Sequence, residues 1–144
     1  MEFVIILAVI IVLLLILGVN VYVIIQGLLW LMEVILIGMT LFFLLSIILL
    51  LLGKWQDAAF LRVEKEGSFG HAVYRLGDAE HRNLYPAEGF LQNLIYRKTS
   101  VRVRFWEHGR LHALFDRYSI LIAALGLPLS AAGAVLLGMF LLWI

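Results

Sequence analysis

Residues 3 to 53 form one apolar run whose clearly polar members are Asn20, Gln26, Glu33, Thr40 and Ser46. As a single helix these 51 residues would extend ~76 Å, far beyond a hydrocarbon core of ~30 Å. The run therefore has to be divided, and two helices joined by a tight turn fit it best. The turn is expected near residues 20–27, where Asn20, Tyr22 and Gln26 gather and Trp30 follows, because Tyr and Trp favour the headgroup level of a bilayer. A helical hairpin over 3–53 is the result.

A further apolar stretch, 118–144, carries Pro128 inside it and Trp143 near its end. Proline removes one helical hydrogen bond and favours a kink, which neighbouring helices tolerate in a membrane. Between the two apolar blocks the composition inverts. All 11 Lys and Arg residues lie from Lys54 to Arg117, together with all four His and eight of the ten acids. Outside that window the ionisable side chains are Glu2 and Glu33. The expected fold is thus three transmembrane helices with a small β-rich α+β insert, 54–117, between the second and third.

Orientation follows from the same partition. Basic residues concentrate on the cytoplasmic side of membrane proteins, so the insert is expected to face the cytoplasm of a bacterial plasma (inner) membrane. The N-terminus, one hairpin earlier, would share that side, with the C-terminus outside. Met1-Glu2-Phe3 lacks the positive region of a secretory signal, so the first helix is read as retained. With no Cys in the chain, neither a disulfide nor a thiolate metal site is available.

Within the insert, Val101, Val103 and Phe105 alternate with Arg102 and Arg104, the period of a half-buried strand. His108-Gly109 suits a two-residue turn, which places Glu107 opposite Arg110, Val103 opposite Leu114 and Phe105 opposite His112. A second hairpin is expected from residues 60–64 and 71–75, joined through Gly67 and Gly70. Pro86 could open a short helix reaching about Tyr96, with Phe90, Leu91, Leu94 and Ile95 on its apolar side. A helical insert is the competing arrangement.

Four groups of residues could carry chemistry. Glu33 is the one charge within the long apolar run; intramembrane carboxylates serve as proton relays or cation ligands. With Asn20, Gln26 and Thr40 it could line a pore when several copies associate, although near a helix end it could equally snorkel into headgroups. Gly126, Ser130, Ala134 and Gly138 recur every four residues, spacing that lets helix backbones approach closely, within one chain or between chains. His108, His112 and Asp116 would stack on one face of a helix and suit zinc, but a hairpin separates them and no second ligand set exists, so no metal is expected. Arg97, Lys98, Arg102 and Arg104 form the densest basic cluster, suited to anionic lipid or a phosphate-bearing ligand.

No phosphate loop, nucleophile elbow or HExxH is present, so the chain is expected to be neither an enzyme nor a cofactor carrier. The insert's net charge of +3, from 11 basic and 8 acidic residues, is too small to point to nucleic acid. The leading expectation is a non-enzymatic membrane subunit, in contact with membrane lipids, that assembles through its helices with itself or with other membrane subunits. A homo-oligomeric channel or membrane-disrupting effector gated by the insert is the alternative. A membrane-anchored sensor of an anionic ligand is the third.

Overall fold

A computed structural model describes residues 2–96, 100–109 and 111–143 of the chain. Among the described residues the chain forms helices α1 (Glu2–Ile16) and α2 (Val21–Leu52), strands β1 (Lys54–Glu66), β2 (Phe69–Leu76), β3 (Ala79–Arg82) and β4 (Ala87–Glu88), helix α3 (Gly89–Ile95), strands β5 (Ser100–His108) and β6 (Leu111–Phe115), and helix α4 (Arg117–Trp143).

The first apolar block breaks at residues 17–20, earlier than the expected 20–27. Gly18 adopts φ +80, a left-handed conformation that ends helices and suits glycine. Its N–H donates to the Leu15 carbonyl, and that of Val19 to the Leu14 carbonyl, both at 3.0 Å. Asn20 then caps α2: its Oδ1 accepts the Tyr22 N–H at 2.9 Å, the side-chain bond that satisfies a free helix-end donor. Division at this point leaves α1 with 15 residues and gives α2 32, or ~22 Å and ~48 Å of helix.

This corrects the three-span expectation. Among the described residues two helices, α2 and α4, are long and apolar enough to cross a membrane by length and composition, whereas α1 is too short. The cytoplasmic N-terminus, which rested on a spanning first helix, loses its basis. Among the described residues the chain combines helices with a curled six-stranded antiparallel sheet, an α+β architecture of a kind soluble proteins use.

The strand order is β3-β2-β1-β5-β6, with β4 paired to β2. Strands β1 and β2 meet as a hairpin whose last pair is Glu66 with Phe69. Gly67 supplies the positive φ of +66 in its turn. A bulge between Phe60 and Arg62 shifts the β1–β2 register, which increases local twist and helps the sheet curl. The residues after β3 complete the curl by reaching β6. Asn83 forms a parallel bridge with Leu114, and the Leu84 N–H donates to the Leu114 carbonyl at 3.0 Å.

The β5–β6 hairpin pairs Phe105 with Leu114, Glu107 with His112 and His108 with Leu111. The expected pairing of Glu107 with Arg110 fails, and Arg110 itself lies outside the described residues. Because the slip is by two residues, side chains keep their faces. Val103, Phe105 and Leu114 accordingly enter the core with Ala58, Ala72 and Tyr74. The expected helix from Pro86 shortens to seven residues, Gly89–Ile95, and its expected apolar side is only partly covered: Leu91 and Ile95 are half-buried, Phe90 and Leu94 exposed. Phe90 is 74% exposed, whereas Gln92 is buried and donates from Nε2 to the Ala87 carbonyl at 3.1 Å. The buried side of the helix is therefore centred on Gln92, with Leu91 and Ile95 half-buried beside it, and excludes Phe90 and Leu94.

The chain divides into two compact units: Met1–Met39 with Leu129–Ile144, and Thr40–Pro128. In the second, the outer sheet face is covered by helix residues. Phe43 packs with Tyr85, Ala113, Phe115 and Ala123, and the Tyr85 hydroxyl donates to Ser46 Oγ at 2.8 Å. There the ring of Phe43 occupies the space that a Cβ on Gly126 would need. In the first unit, Leu36 lies 3.4 Å from where a Cβ on Gly133 would sit, and Glu33 Oε1 3.1 Å from that of Gly138. An apolar cleft of about 270 Å³ lies between α1 and α2, lined by residues such as Leu7, Ile11, Val23 and Ile24.

Candidate functional site

Asp116 stands between β6 and α4 and begins that helix. Its carbonyl accepts the Ile120 N–H at 3.0 Å, and its side-chain Oδ1 accepts the Ser119 N–H at 2.7 Å, so it is the N-cap. A carboxylate at a helix N-terminus is favoured by the helix dipole. Its other oxygen, Oδ2, accepts from the Tyr74 hydroxyl and from Asn83 Nδ2, each at 3.1 Å. Asn83 is fixed by the sheet closure: its N–H donates to the Ala72 carbonyl and its Oδ1 accepts the Ala72 N–H. Its Nδ2 also faces the Tyr85 carbonyl at 2.9 Å and the Tyr96 hydroxyl at 3.0 Å.

One buried carboxylate is thereby wrapped in donors from β2, the closing segment and α4. Burial, and after it the nearby Asp116 carboxylate, push the Tyr74 and Tyr96 phenols well above the usual tyrosine range. Beside the network lies a cavity of about 230 Å³. The three tyrosines Tyr74, Tyr96 and Tyr118 line it with Asp116, Leu94, Val101 and Arg117. Arg117 also borders a groove formed with Trp55 and Arg102. In that groove Arg102 faces Asp57 across the β1–β5 pair at 3.6 Å, both side chains well exposed. The guanidinium of Arg104 lies 5.4 Å from the centre of the Trp55 ring, a cation–π distance.

The residues singled out from sequence are scattered. Of the basic cluster, Arg102 and Arg104 lie on one face of β5, while Arg97 and Lys98 fall outside the described residues. Asn20 is committed to capping α2, Gln26 is half-buried, and Thr40 is half-buried in the other unit. Glu33 is buried, and its Oε2 has no hydrogen-bond partner among the described residues. Of the small-residue ladder, Gly126 and Gly138 take up helix contacts within the chain, Ser130 is buried and Ala134 half-buried.

The helical stack of His108, His112 and Asp116 does not form. His108 lies against Trp106, with ring centres 6.2 Å apart, and His112 meets His81 at 5.0 Å. Burial and the neighbouring His112 hold His81 below the ordinary histidine range, against the opposing pull of Glu107. Among the described residues no group of three or more His, Asp or Glu is placed to hold a metal ion.

Sequence reading missed Tyr74, Asn83, Tyr96, Arg117 and Tyr118 altogether and placed Asp116 in the wrong set. The Asp before an apolar helical run was a usable N-cap signal. Its partners were not visible, since Tyr74 and Asn83 are 42 and 33 residues away in sequence. Comparison with protein-family models, curated proteins and solved structures gives no match.

Proposed function

We propose that the chain is a non-enzymatic membrane subunit. In this reading α2 and α4 cross the bilayer, the sheet unit stands at the cytoplasmic face, and the remaining helix surface meets lipid and the helices of further copies or other subunits. One observation carries it: the long helices present large apolar side chains outward on several sides. On α4 these include Leu129, Val135, Leu136, Met139 and Leu142; on α2 they include Val23, Leu31, Val34 and Ile35. Monomers in water rarely expose contiguous apolar patches beyond a few hundred Å², and helices apolar all round belong in a membrane or a large core.

Two features support the details. Every Lys and Arg lies from Lys54 to Arg117, which favours a cytoplasmic sheet unit. The glycines of α4 are spent on α2, so association uses the outward faces of larger residues. Native mass spectrometry of the full chain extracted in mild detergent tests the assembly. A homo-oligomer or a stoichiometric complex with another membrane subunit is expected, and a clean monomer at all concentrations would overturn it.

A further inference from the structure

The tyrosine-lined cavity is bordered by charge of both signs, Asp116 and Arg117. Asp116 is 2% exposed, and its oxygens are met by a phenol, a carboxamide and a backbone N–H. All three donors are neutral, and no ion pair among the described residues includes it. Buried charges are usually paired, so the cavity beside this carboxylate favours a cation. Aromatic rings attract alkylammonium groups, and Tyr74, Tyr96 and Tyr118 line the cavity. The opposite sign lies beside it, for the exposed Arg117 lines both the cavity and the groove shared with Arg102 and Trp55.

A ligand matching both ends carries an ammonium and an anion a short distance apart. Size restricts it further. About 230 Å³ lies below the ~300–1,000 Å³ typical of drug-sized sites, so it suits a headgroup-sized moiety and no larger ligand. We propose that this cavity binds a phosphate–ammonium zwitterion of the phosphocholine or phosphoethanolamine type, with ammonium inward toward Asp116 and the tyrosine rings and phosphate outward on Arg117 and Arg102. The moiety can come from a lipid headgroup or from a soluble phosphoester. Only the lipid source rests on the membrane reading above.

Isothermal titration of the full chain in dodecyl maltoside tests the shared chemistry with phosphocholine, phosphoethanolamine, choline and inorganic phosphate. Either zwitterion should bind at least about tenfold more tightly than choline or phosphate, since each end adds a charge-assisted contact. Arg117→Gln should weaken the zwitterions about tenfold while leaving choline unchanged, and Tyr118→Leu should weaken choline and the zwitterions but not phosphate. Asp116→Asn is less informative because that residue caps α4; the exposed Arg117 and the rim residue Tyr118 keep the proposal falsifiable.

A second arm reads the source. The chain is reconstituted into nanodiscs of equal phosphatidylethanolamine and phosphatidylglycerol, and the retained lipid is identified by native mass spectrometry. Enrichment of phosphatidylethanolamine without soluble binding supports the lipid headgroup; soluble binding without enrichment supports the free phosphoester. Inorganic phosphate binding as tightly as the zwitterions, or neither soluble binding nor enrichment, would overturn the proposal. Lipid enrichment that fails while α2 and α4 still hold the chain in the membrane would leave the subunit reading intact.

Discussion

The curled sheet and the long helices dispose of apolar and charged groups in opposite ways. In Thr40–Pro128 the curled sheet buries Val103, Leu114 and Phe115 completely, and its one buried carboxylate, Asp116, has three donors. In Met1–Met39 with Leu129–Ile144, large apolar side chains face outward, and the buried carboxylate of Glu33 leaves Oε2 unpartnered. The sheet thus builds a core of its own from Ala58, Ala72, Tyr74, Val103, Phe105 and Leu114. In the reading proposed above, the helical unit takes its apolar cover from outside, since leaving so much of it in water would forfeit ~25 cal/mol for every Å² left wet.

The sharpest way to break that contrast is to delete apolar atoms on both sides. Phe115→Ala should destabilise the sheet unit by about 3–5 kcal/mol, seen as a lowered midpoint in chemical unfolding of the detergent-purified chain. Leu142→Ala, at a side chain 84% exposed, should stay within about 0.5 kcal/mol. Equal losses would erase the distinction.

The next effect concerns the two carboxylates. Tyr74→Phe removes a donor to a buried charge and should cost about 1.5–3 kcal/mol. Glu33→Gln, at an oxygen with no partner to lose, should be neutral or stabilising in the same unfolding measurement. Close in size is a pair of glycines. Gly126→Leu must displace the Phe43 ring and should cost about 1–3 kcal/mol by overpacking. Gly38→Ala meets nothing within 4 Å and should leave thermal stability unchanged or raise it by up to about 1 kcal/mol through helix propensity.

The smallest effect is a pH dependence confined to the sheet unit. Tyr74 and Tyr96 have folded pKa values raised above the ordinary ~10. The folded state therefore keeps protons that the unfolded state loses, so their contribution to stability is full below pH ~10 and falls as pH rises beyond it. Phenolate absorbance from these two residues should appear together with loss of near-ultraviolet circular dichroism, and ionisation of either while that signal persists would count against their burial. At the acid end His81, held low by burial, favours the unfolded state once pH drops below ~6.5, which a modest fall in melting temperature between pH 7 and 5 would register.

How much of this could be read from sequence differed between the units for a physical reason. In the sheet unit, alternation of Val101, Val103 and Phe105 with Arg102 and Arg104 identified the inward face of β5. A two-residue error in hairpin register left that face correct, because strand side chains repeat every two residues. The Asp116 network was invisible, since its members meet only after the sheet curls and Asn83 reaches β6. In the helical block, uniform apolarity gives no periodic mark of where a helix stops. The length of the run suggested two spans and the polar residues of 20–27 a turn there, whereas a local device, the positive φ of Gly18 followed by the Asn20 cap, put the break early and left α1 short.

The account stands on α2 and α4 being covered by lipid while the sheet buries its own core. Alkaline carbonate extraction of membranes from cells expressing the full chain tests this most directly. The chain should stay in the membrane pellet through carbonate and leave it only with detergent; its release into the carbonate supernatant would contradict the account.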